Sequence, residues 1–143
     1  MAEPPFRPLE DPEREWIADA RNWIKGHFGS DPEENYASIE GKLDVLGAIL
    51  DNRWVQPEET AKLQAMGIAF GDAVAQKLML DWVTVDDEYG RTPALNWPGT
   101  SIVSYPVTMI AKRVEEGEEI EIHGFFDGTC RMLTDMAHGG RAT

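Results

Sequence analysis

The residues whose spacing could support catalysis are His123, Asp127 and Cys130, at positions i, i+4 and i+7. On an α-helix these positions share one face. A cysteine nucleophile needs a base that lowers its pKa, and a carboxylate often orients that base. One helix, however, stacks the three groups along a single surface, whereas thiol catalytic sites collect nucleophile and base from different elements around a cleft. We therefore predict no catalytic residues, with Cys130 in the core and His123 and Asp127 at the surface.

The acidic run Asp86, Asp87 and Glu88 could attract a hard cation, because calcium and magnesium prefer carboxylate oxygens. The spacing does not match an EF-hand loop, and adjacent residues of a strand point to opposite faces. The three histidines and the single cysteine are scattered, so the chain does not show four zinc ligands at the usual spacing. The chain also lacks the glycine-rich nucleotide-binding motifs and the GxSxG motif. We predict no metal and no cofactor.

Aromatic side chains near two predicted turns suggest a binding surface rather than a catalytic one. Tryptophan, tyrosine and arginine are enriched in binding hot spots. Packing in the core or at the edge of a sheet would also explain these residues. The predicted site is a shallow groove with a mixed polar and aromatic lining: Tyr89, Arg91, Asn96, Trp97 and Tyr105.

The charge balance restricts the classes of partner. The chain has 143 residues, and 13 basic against 26 acidic side chains give it a net charge of −13. Such a charge repels the phosphates of nucleic acids, so we expect no nucleic-acid binding. The charge either keeps the protein in solution or forms an acidic face for a basic protein partner.

Cysteine content and hydropathy bear on localisation. A single cysteine excludes an intrachain disulfide, which favours the cytoplasm. The amino terminus lacks the apolar core of a signal peptide, and no run approaches the roughly 18 apolar residues of a membrane span. We expect a cytoplasmic protein that does not interact with membranes.

Helical periodicity dominates the first half of the chain, with prolines and acids at the expected helix starts. Three helices are predicted, separated by short loops: residues 11–29, 36–50 and 57–80. Residues 1–10 contain three prolines and predict a mobile arm. A single domain is predicted over residues 11–138, and residues 139–143 are expected to form a frayed C-terminus.

From residue 82 the apolar period changes to two residues, which places Val83 and Val85 on one face of a strand. Gly90 is available for the positive φ of a turn, and Pro93 indicates that the returning strand lies at an edge. Three short strands are predicted, joined by turns: residues 82–87, 92–97 and 101–105. Together they form an antiparallel meander.

Two further helices complete the predicted fold. One begins at Pro106 and ends at Gly117, and the other covers residues 122–137. Between them five acids occupy the seven positions 115–121, which are typical of a solvated connection. The sequence therefore predicts an α+β fold of three N-terminal helices, a three-stranded antiparallel meander and two more helices.

Gly67 and Gly71 stand four residues apart in the third predicted helix. Each costs about 1 kcal/mol of helix stability relative to alanine, so their presence indicates a close backbone approach. The approach is expected inside the domain, with the seam of a homodimer as the alternative.

The chain contains the segments LQAMGIAFGDAV, LDWVTVDDEYGRTPAL and PVTMIAKRVEEGE between residues 61 and 117. Together they resemble the bacterial family known as domain of unknown function 3806, in which a helix with the pattern G.afGd leads into a Trp-Val strand, an acidic hairpin and a proline-started helix. The resemblance implies a bacterial origin and a shared fold but no activity, and the helices before Ala61 fall outside it. The matching positions are Gly67, Phe70, Gly71, Asp72, Trp82, Val83, Asp87, Gly90, Pro106 and Ile110.

Two functional hypotheses follow. The first is a non-enzymatic module that binds or regulates a protein partner through an acidic and aromatic surface, as immunity proteins do. The second is a small enzyme or small-molecule-binding protein whose site lies between the sheet and the helices. The missing catalytic set favours the first hypothesis but does not decide between them.

Overall fold

The computed structural model describes residues 6–88 and 90–139, which form six helices and one four-stranded antiparallel sheet. The elements up to the central helix are β1 (Phe6–Pro8), α1 (Asp11–Lys25), α2 (Pro32–Ala37), α3 (Ile39–Asp51) and α4 (Thr60–Leu78). The remaining elements are β2 (Asp81–Asp87), β3 (Gly90–Asn96), β4 (Val103–Ser104), a 3-10 turn (Pro106–Thr108), α5 (Met109–Glu115) and α6 (Ile122–Gly139). The α+β class is therefore confirmed.

Helix α4 is the centre of the molecule. In its middle, apolar and small residues of α4 occur on every face of the helix, which is typical of a buried helix. Every residue from 65 to 74 is buried. Helices α1, α3, α5 and α6 and the 3-10 turn all contact it. None of the helices in the described part of the chain is long and apolar enough to cross a membrane.

Two glycines allow the 3-10 turn and the sheet to approach α4 closely. A Cβ atom on Gly67 would lie 2.4 Å from the carbonyl oxygen of Pro106 and 2.6 Å from that of Val107. A Cβ atom on Gly71 would lie 2.7 Å from the Pro106 ring and 2.8 Å from the indole of Trp82. The predicted close approach inside the domain is confirmed.

The predicted meander is present but has a fourth strand. The strand order is β1-β2-β3-β4, and β2 pairs with β3 from Asp81 opposite Asn96 to Asp87 opposite Gly90. Gly90 takes a φ of +112°, as the turn requires. Pro93 faces Thr84 of β2, and β4 pairs with β3 only at Leu95 and Asn96. The third predicted strand is thus reduced to two residues.

The predicted mobile arm is wrong from residue 6 onward, because residues 6–8 form β1 on the free edge of β2. Phe6 lies opposite Val85, and the Arg7 guanidinium binds the carboxylates of Glu10 at 2.7 Å and Asp86 at 3.1 Å. Residues 1–5 lie outside the described residues. At the other end, α6 continues to Gly139, and residues 140–143 of the predicted frayed terminus are likewise outside.

Four helices, not three, precede the hairpin formed by β2 and β3. The predicted loop over residues 30–35 is wrong, because Pro32 begins α2 with two acids in its first turn. Ser38 then takes an extended conformation, and its hydroxyl accepts a hydrogen bond from the Gly41 amide at 2.9 Å. The apolar stripe that begins at Tyr36 is therefore divided by the N-cap at Ser38 between two helices, α2 and α3.

A buried carboxylate joins the helices to the sheet. Asp72 of α4 is only 8% exposed, and its Oδ1 accepts hydrogen bonds from Arg21 Nη2 at 2.8 Å and Trp82 Nε1 at 2.9 Å. Its Oδ2 accepts from Arg21 Nε at 2.8 Å and the Tyr36 hydroxyl at 2.5 Å. One side chain thereby connects α1, α2, α4 and β2. Burial and the neighbouring Asp72 charge raise the pKa of the Tyr36 hydroxyl above its ordinary value, so the hydroxyl remains a donor.

We expect Gly67→Ala to destabilise the protein by about 2 kcal/mol. Overpacking costs about 1 to 3 kcal/mol, and the cost here is near the upper value because the new Cβ atom meets rigid backbone carbonyls. The better helix propensity of alanine offsets about 1 kcal/mol of this cost. Thermal melting at two protein concentrations measures the change, which should not depend on concentration if the contact lies inside one domain.

The matched control is Gly128→Ala in α6, where nothing lies within 4 Å of the new Cβ atom. This change should stabilise the protein by up to about 1 kcal/mol through helix propensity alone. Equal melting temperatures for the two variants would contradict the packing role of Gly67.

Candidate functional site

A cavity of about 650 Å³ opens where the ends of several helices meet. It lies between the C-terminal end of α3, the connection to α4, the first two turns of α4, the end of α5 and the segment that leads into α6. The lining residues are Ile49, Leu50, Asp51, Arg53, Val55, Gln56, Pro57, Leu63, Met66, Val114, Gly117, Glu118, Glu119, Ile120 and Glu121. We call this feature the helix-end cavity.

The floor of the helix-end cavity is apolar. Ile49 of α3 and Leu63 and Met66 of α4 are almost fully buried and form part of the main core. Val114 and Ile120 are partly buried and pack against the same core. A ligand that entered the cavity would therefore meet hydrocarbon beneath it.

The rim of the helix-end cavity is acidic. Four carboxylates, those of Asp51, Glu118, Glu119 and Glu121, stand against one cation, Arg53. An apolar floor with a few polar groups at its edge is the usual character of a binding site, and the charge of this edge favours a cationic ligand.

Gly117 directs the acidic segment toward the cavity. It takes a φ of +76° directly after α5, a conformation that glycine adopts without strain. The amide of Glu118 donates to the Arg113 carbonyl at 2.9 Å, and the amide of Gly117 donates to Val114 at 3.0 Å. This glycine-terminated helix end reverses the chain, so that residues 118–121 run back along the cavity.

Glu121 also fixes the start of α6. Its carboxylate accepts hydrogen bonds from the amides of His123 and Gly124, both at 2.9 Å. These amides are among those that a helix start leaves without a partner, and the negative charge suits the positive end of the helix. The carboxylate at this edge of the cavity is therefore held in place.

Arg53 lies on the opposite side of the cavity, in the connection between α3 and α4. It takes a left-handed conformation with a φ of +53°, which is uncommon for a residue other than glycine. The Trp54 amide donates to the Ile49 carbonyl at 3.1 Å, which closes the turn. The connection is further held by the Glu59 carboxylate, which accepts from the Gln56 amide at 2.8 Å.

Glu40, Asp44 and His123 bring three ligand atoms within 4.8 Å of one another at the surface. His123 Nε2 lies 2.9 Å from a Glu40 oxygen and 3.8 Å from an Asp44 oxygen. The hydrogen bond to Glu40 raises the pKa of His123, which favours the protonated imidazole. Because His123 of α6 lies within hydrogen-bonding distance of Glu40, we interpret the cluster as an ion pair between α3 and α6.

Cys130 is buried in the core, as predicted, and Asp127 is exposed. Burial raises the pKa of the thiol to about 11, which opposes formation of the nucleophilic thiolate. His123 points to α3, where it pairs with Glu40.

The residues of the predicted aromatic groove have separate surroundings, and Tyr89 lies outside the described residues. The Arg91 guanidinium binds the Glu13 carboxylate of α1 at 2.8 Å. Asn96 is buried, and its amide donates to the carbonyls of Thr100 and Ile102 at 2.9 and 3.0 Å. Trp97 contacts His138 edge to face, whereas Tyr105 is exposed. None of the four described residues of this set lines the helix-end cavity, and the aromatic groove stays a prediction.

Sequence reasoning missed the helix-end cavity. Its acids are exposed, as the predicted solvated connection requires, but its floor consists of apolar residues that periodicity assigns to ordinary helix packing. The available signal was Gly117 followed by acids on both sides of the apolar Ile120.

Comparison with known proteins gives a family and a fold. The family model "Domain of unknown function (DUF3806)" matches residues 42–126. The match begins earlier than the resemblance did, so the expectation that all helices before Ala61 fall outside is wrong for α3. All lining residues of the helix-end cavity lie within the matched stretch. No curated protein matches the chain.

A crystal structure of a protein from Bacteroides thetaiotaomicron VPI-5482 has a similar fold, with a TM-score of 0.71 at 18% sequence identity. The similarity covers 87% of this chain and 47% of the other, so this chain spans about half the length of the structure it matches. At this identity the likeness shows the fold alone.

We expect Cys130 to react slowly with iodoacetamide in the folded protein. A pKa of about 11 leaves about 100-fold less thiolate at neutral pH than an ordinary cysteine has, and burial restricts access further. Mass spectrometry of the folded and the denatured protein measures the rates, and the single cysteine makes the signal unambiguous. Rapid stoichiometric labelling of the folded protein would show that the thiol is reactive.

We expect His123→Gln to lower the melting temperature at pH 6 and to have a smaller effect as the pH rises. The folded-state pKa of His123 is raised, so its contribution is fully present below the unfolded value of about 6.5 and is lost as the pH rises through the folded value. Both partners are exposed, so the effect is small. Glu40→Gln should reproduce the pH dependence, and a difference that does not change between about pH 5 and 8 would argue against the pair.

Proposed function

The chain belongs to the family described as domain of unknown function 3806, and because that description carries no activity we propose a function from the chain's own cavity. We propose that the protein is a binding module whose helix-end cavity receives a basic segment of a partner protein. The observation that carries this proposal is an apolar floor surrounded by four carboxylates and one cation.

The floor and the rim select different parts of such a segment. A large apolar side chain of the partner would fill the cavity above Leu63 and Met66, and hot spots of this kind supply most of the binding energy at interfaces. Lysine or arginine residues on either side of it would pair with the rim carboxylates. The ion pairs would set orientation and association rate more than affinity.

The overall charge supports the same class of partner. A chain with a net charge of −13 attracts cationic proteins at a distance and repels nucleic acids and acidic proteins. The overall charge favours cationic partners everywhere on the surface. The helix-end cavity adds an apolar contact at one place, so a basic segment with an apolar side chain should bind there.

A selection from random short peptides displayed on phage tests the proposal. We expect the selected peptides to contain one large apolar residue flanked by lysine or arginine, and their affinity to fall as salt concentration rises. Glu118→Lys combined with Glu119→Lys should reduce the affinity at least about tenfold, because it places like charges against the peptide.

The matched control is Glu15→Lys combined with Asp19→Lys, which makes the same change of net charge on exposed positions of α1. Neither control residue lines the cavity, so the affinity should change little. Equal losses in both double variants would show that only the overall charge matters, and selection of acidic or purely apolar peptides would exclude the proposed partner.

A further inference from the structure

A second cavity, a shallow and widely open depression of about 390 Å³, lies beside the Asp72 carboxylate where the sheet meets the helices. Trp82 of β2 borders it on the sheet side, and residues of α1 to α4 border it on the helix side. The lining residues are Arg21, Tyr36, Ala37, Lys42, Asp72, Ala75, Gln76, Leu80 and Trp82. We call it the Lys42 cavity.

Lys42 is a cation in an unusual place. The residue is only 4% exposed, although lysine is almost never fully buried without a pairing charge. Its ammonium donates to the Gln76 side-chain oxygen at 2.6 Å and to the Ser38 carbonyl at 3.5 Å, and it lies 4.9 Å from the centre of the Tyr36 ring. Every one of these partners is neutral.

The nearby carboxylate of Asp72 binds other donors and makes no direct contact with the Lys42 ammonium. The two oxygens of Asp72 accept four hydrogen bonds, from Arg21, Tyr36 and Trp82. A carboxylate has about four lone-pair sites, so Asp72 has no further acceptor for Lys42. Within residues 6–88 and 90–139, no carboxylate forms a salt bridge with the Lys42 ammonium.

The result is a local excess of positive charge in an acidic protein. Arg21 and Lys42 together outnumber Asp72 among the ionised groups that line the cavity. Lys25 also approaches the Tyr36 ring, at 5.6 Å, but it is already paired with Glu33. Burial lowers the pKa of Lys42, while the Asp72 charge acts in the opposite direction.

We propose that the Lys42 cavity binds a small ligand through a single carboxylate or phosphate group, which pairs directly with the Lys42 ammonium. Arg21 supports this role, because a guanidinium has five N–H donors and only two of them are given to Asp72 in the bonds above. Bonds from ammonium and guanidinium groups to oxyanions are among the strongest that proteins form.

The proposal identifies a ligand class for a site between the sheet and the helices and does not depend on the helix-end cavity. Arg21 and Tyr36 precede the stretch that the family model matches, which is residues 42–126. The N-terminal helices therefore contribute groups to the Lys42 cavity that the matched stretch alone would not contain.

The test uses the full-length protein and two probes, inorganic phosphate and acetate, at constant ionic strength with chloride as the balancing anion. Side-chain NMR of isotopically labelled lysine reports the Lys42 ammonium. We expect saturable shifts at Lys42 with at least one probe, together with a higher pKa of Lys42 in the bound state, because a neighbouring anion favours the charged amine. The tighter-binding probe identifies the preferred group.

Lys42→Met removes the charge and keeps the apolar stem, and we expect it to weaken binding at least about tenfold. Lys62→Met is the matched control on the exposed side of α4, where the lysine pairs with Glu59, and it should bind as the unaltered protein does.

Three results would overturn the proposal: no shift at Lys42 with either probe, shifts confined to exposed lysines, or equal affinity in Lys42→Met. If Lys42→Met fails to fold, the rise of the Lys42 pKa with the probe in the unaltered protein still decides the question. Loss of peptide binding at the helix-end cavity would leave these measurements unaffected, so the two proposals fail independently.

Discussion

The buried carboxylate of Asp72 is the interaction on which the arrangement of the elements depends. A charge in the interior is costly unless it is paired and fully hydrogen-bonded, and Asp72 meets this condition with donors from three other elements. If any one of α1, α2 or β2 moved away, the carboxylate would lose a hydrogen-bond donor, and less of the free-energy cost of burying its charge would be offset. The requirement therefore fixes how the N-terminal helices sit against α4 and the sheet.

The two glycines of α4 follow from the same constraint. Trp82 can donate to Asp72 only if β2 comes close to α4, and the indole lies where a side chain on Gly71 would be. One turn away, Gly67 lets the 3-10 turn after β4 contact the same helix through its backbone. The family pattern in which Gly67, Gly71 and Asp72 share a helix and precede Trp82 thus has a direct physical explanation: a close approach and the hydrogen bond that it permits.

Sequence reasoning succeeded where the signal is local and failed where it depends on distant partners. The period of two residues after Trp82 predicted the β2–β3 hairpin, and Gly117 marked the end of α5. The helix predicted from Pro106 begins as a 3-10 turn over residues 106–108, and α5 itself starts at Met109. Strand β1 was missed because three residues with a proline carry no periodicity, and their strand character comes from the edge of β2, far away in sequence. The division between α2 and α3 was missed because the apolar stripe continues across Ser38, and only the cap shows the break. The second functional hypothesis placed a site between the sheet and the helices, but the lining residues of neither cavity were predicted, since each cavity collects them from several segments.

Screening by salt distinguishes the physical character of the two cavities. The rim carboxylates of the helix-end cavity are largely exposed, so their attraction for a cation weakens within about 8 Å at physiological ionic strength. Lys42 is almost completely buried, and water and ions screen a buried charge much less. The attraction of the acidic rim for a cation therefore depends on salt concentration, whereas the attraction of the Lys42 ammonium for an anion depends on it much less. In the proposed site, weak screening would strengthen the attraction between the buried Lys42 ammonium and an anion in contact with it, against the repulsion from a chain with a net charge of −13.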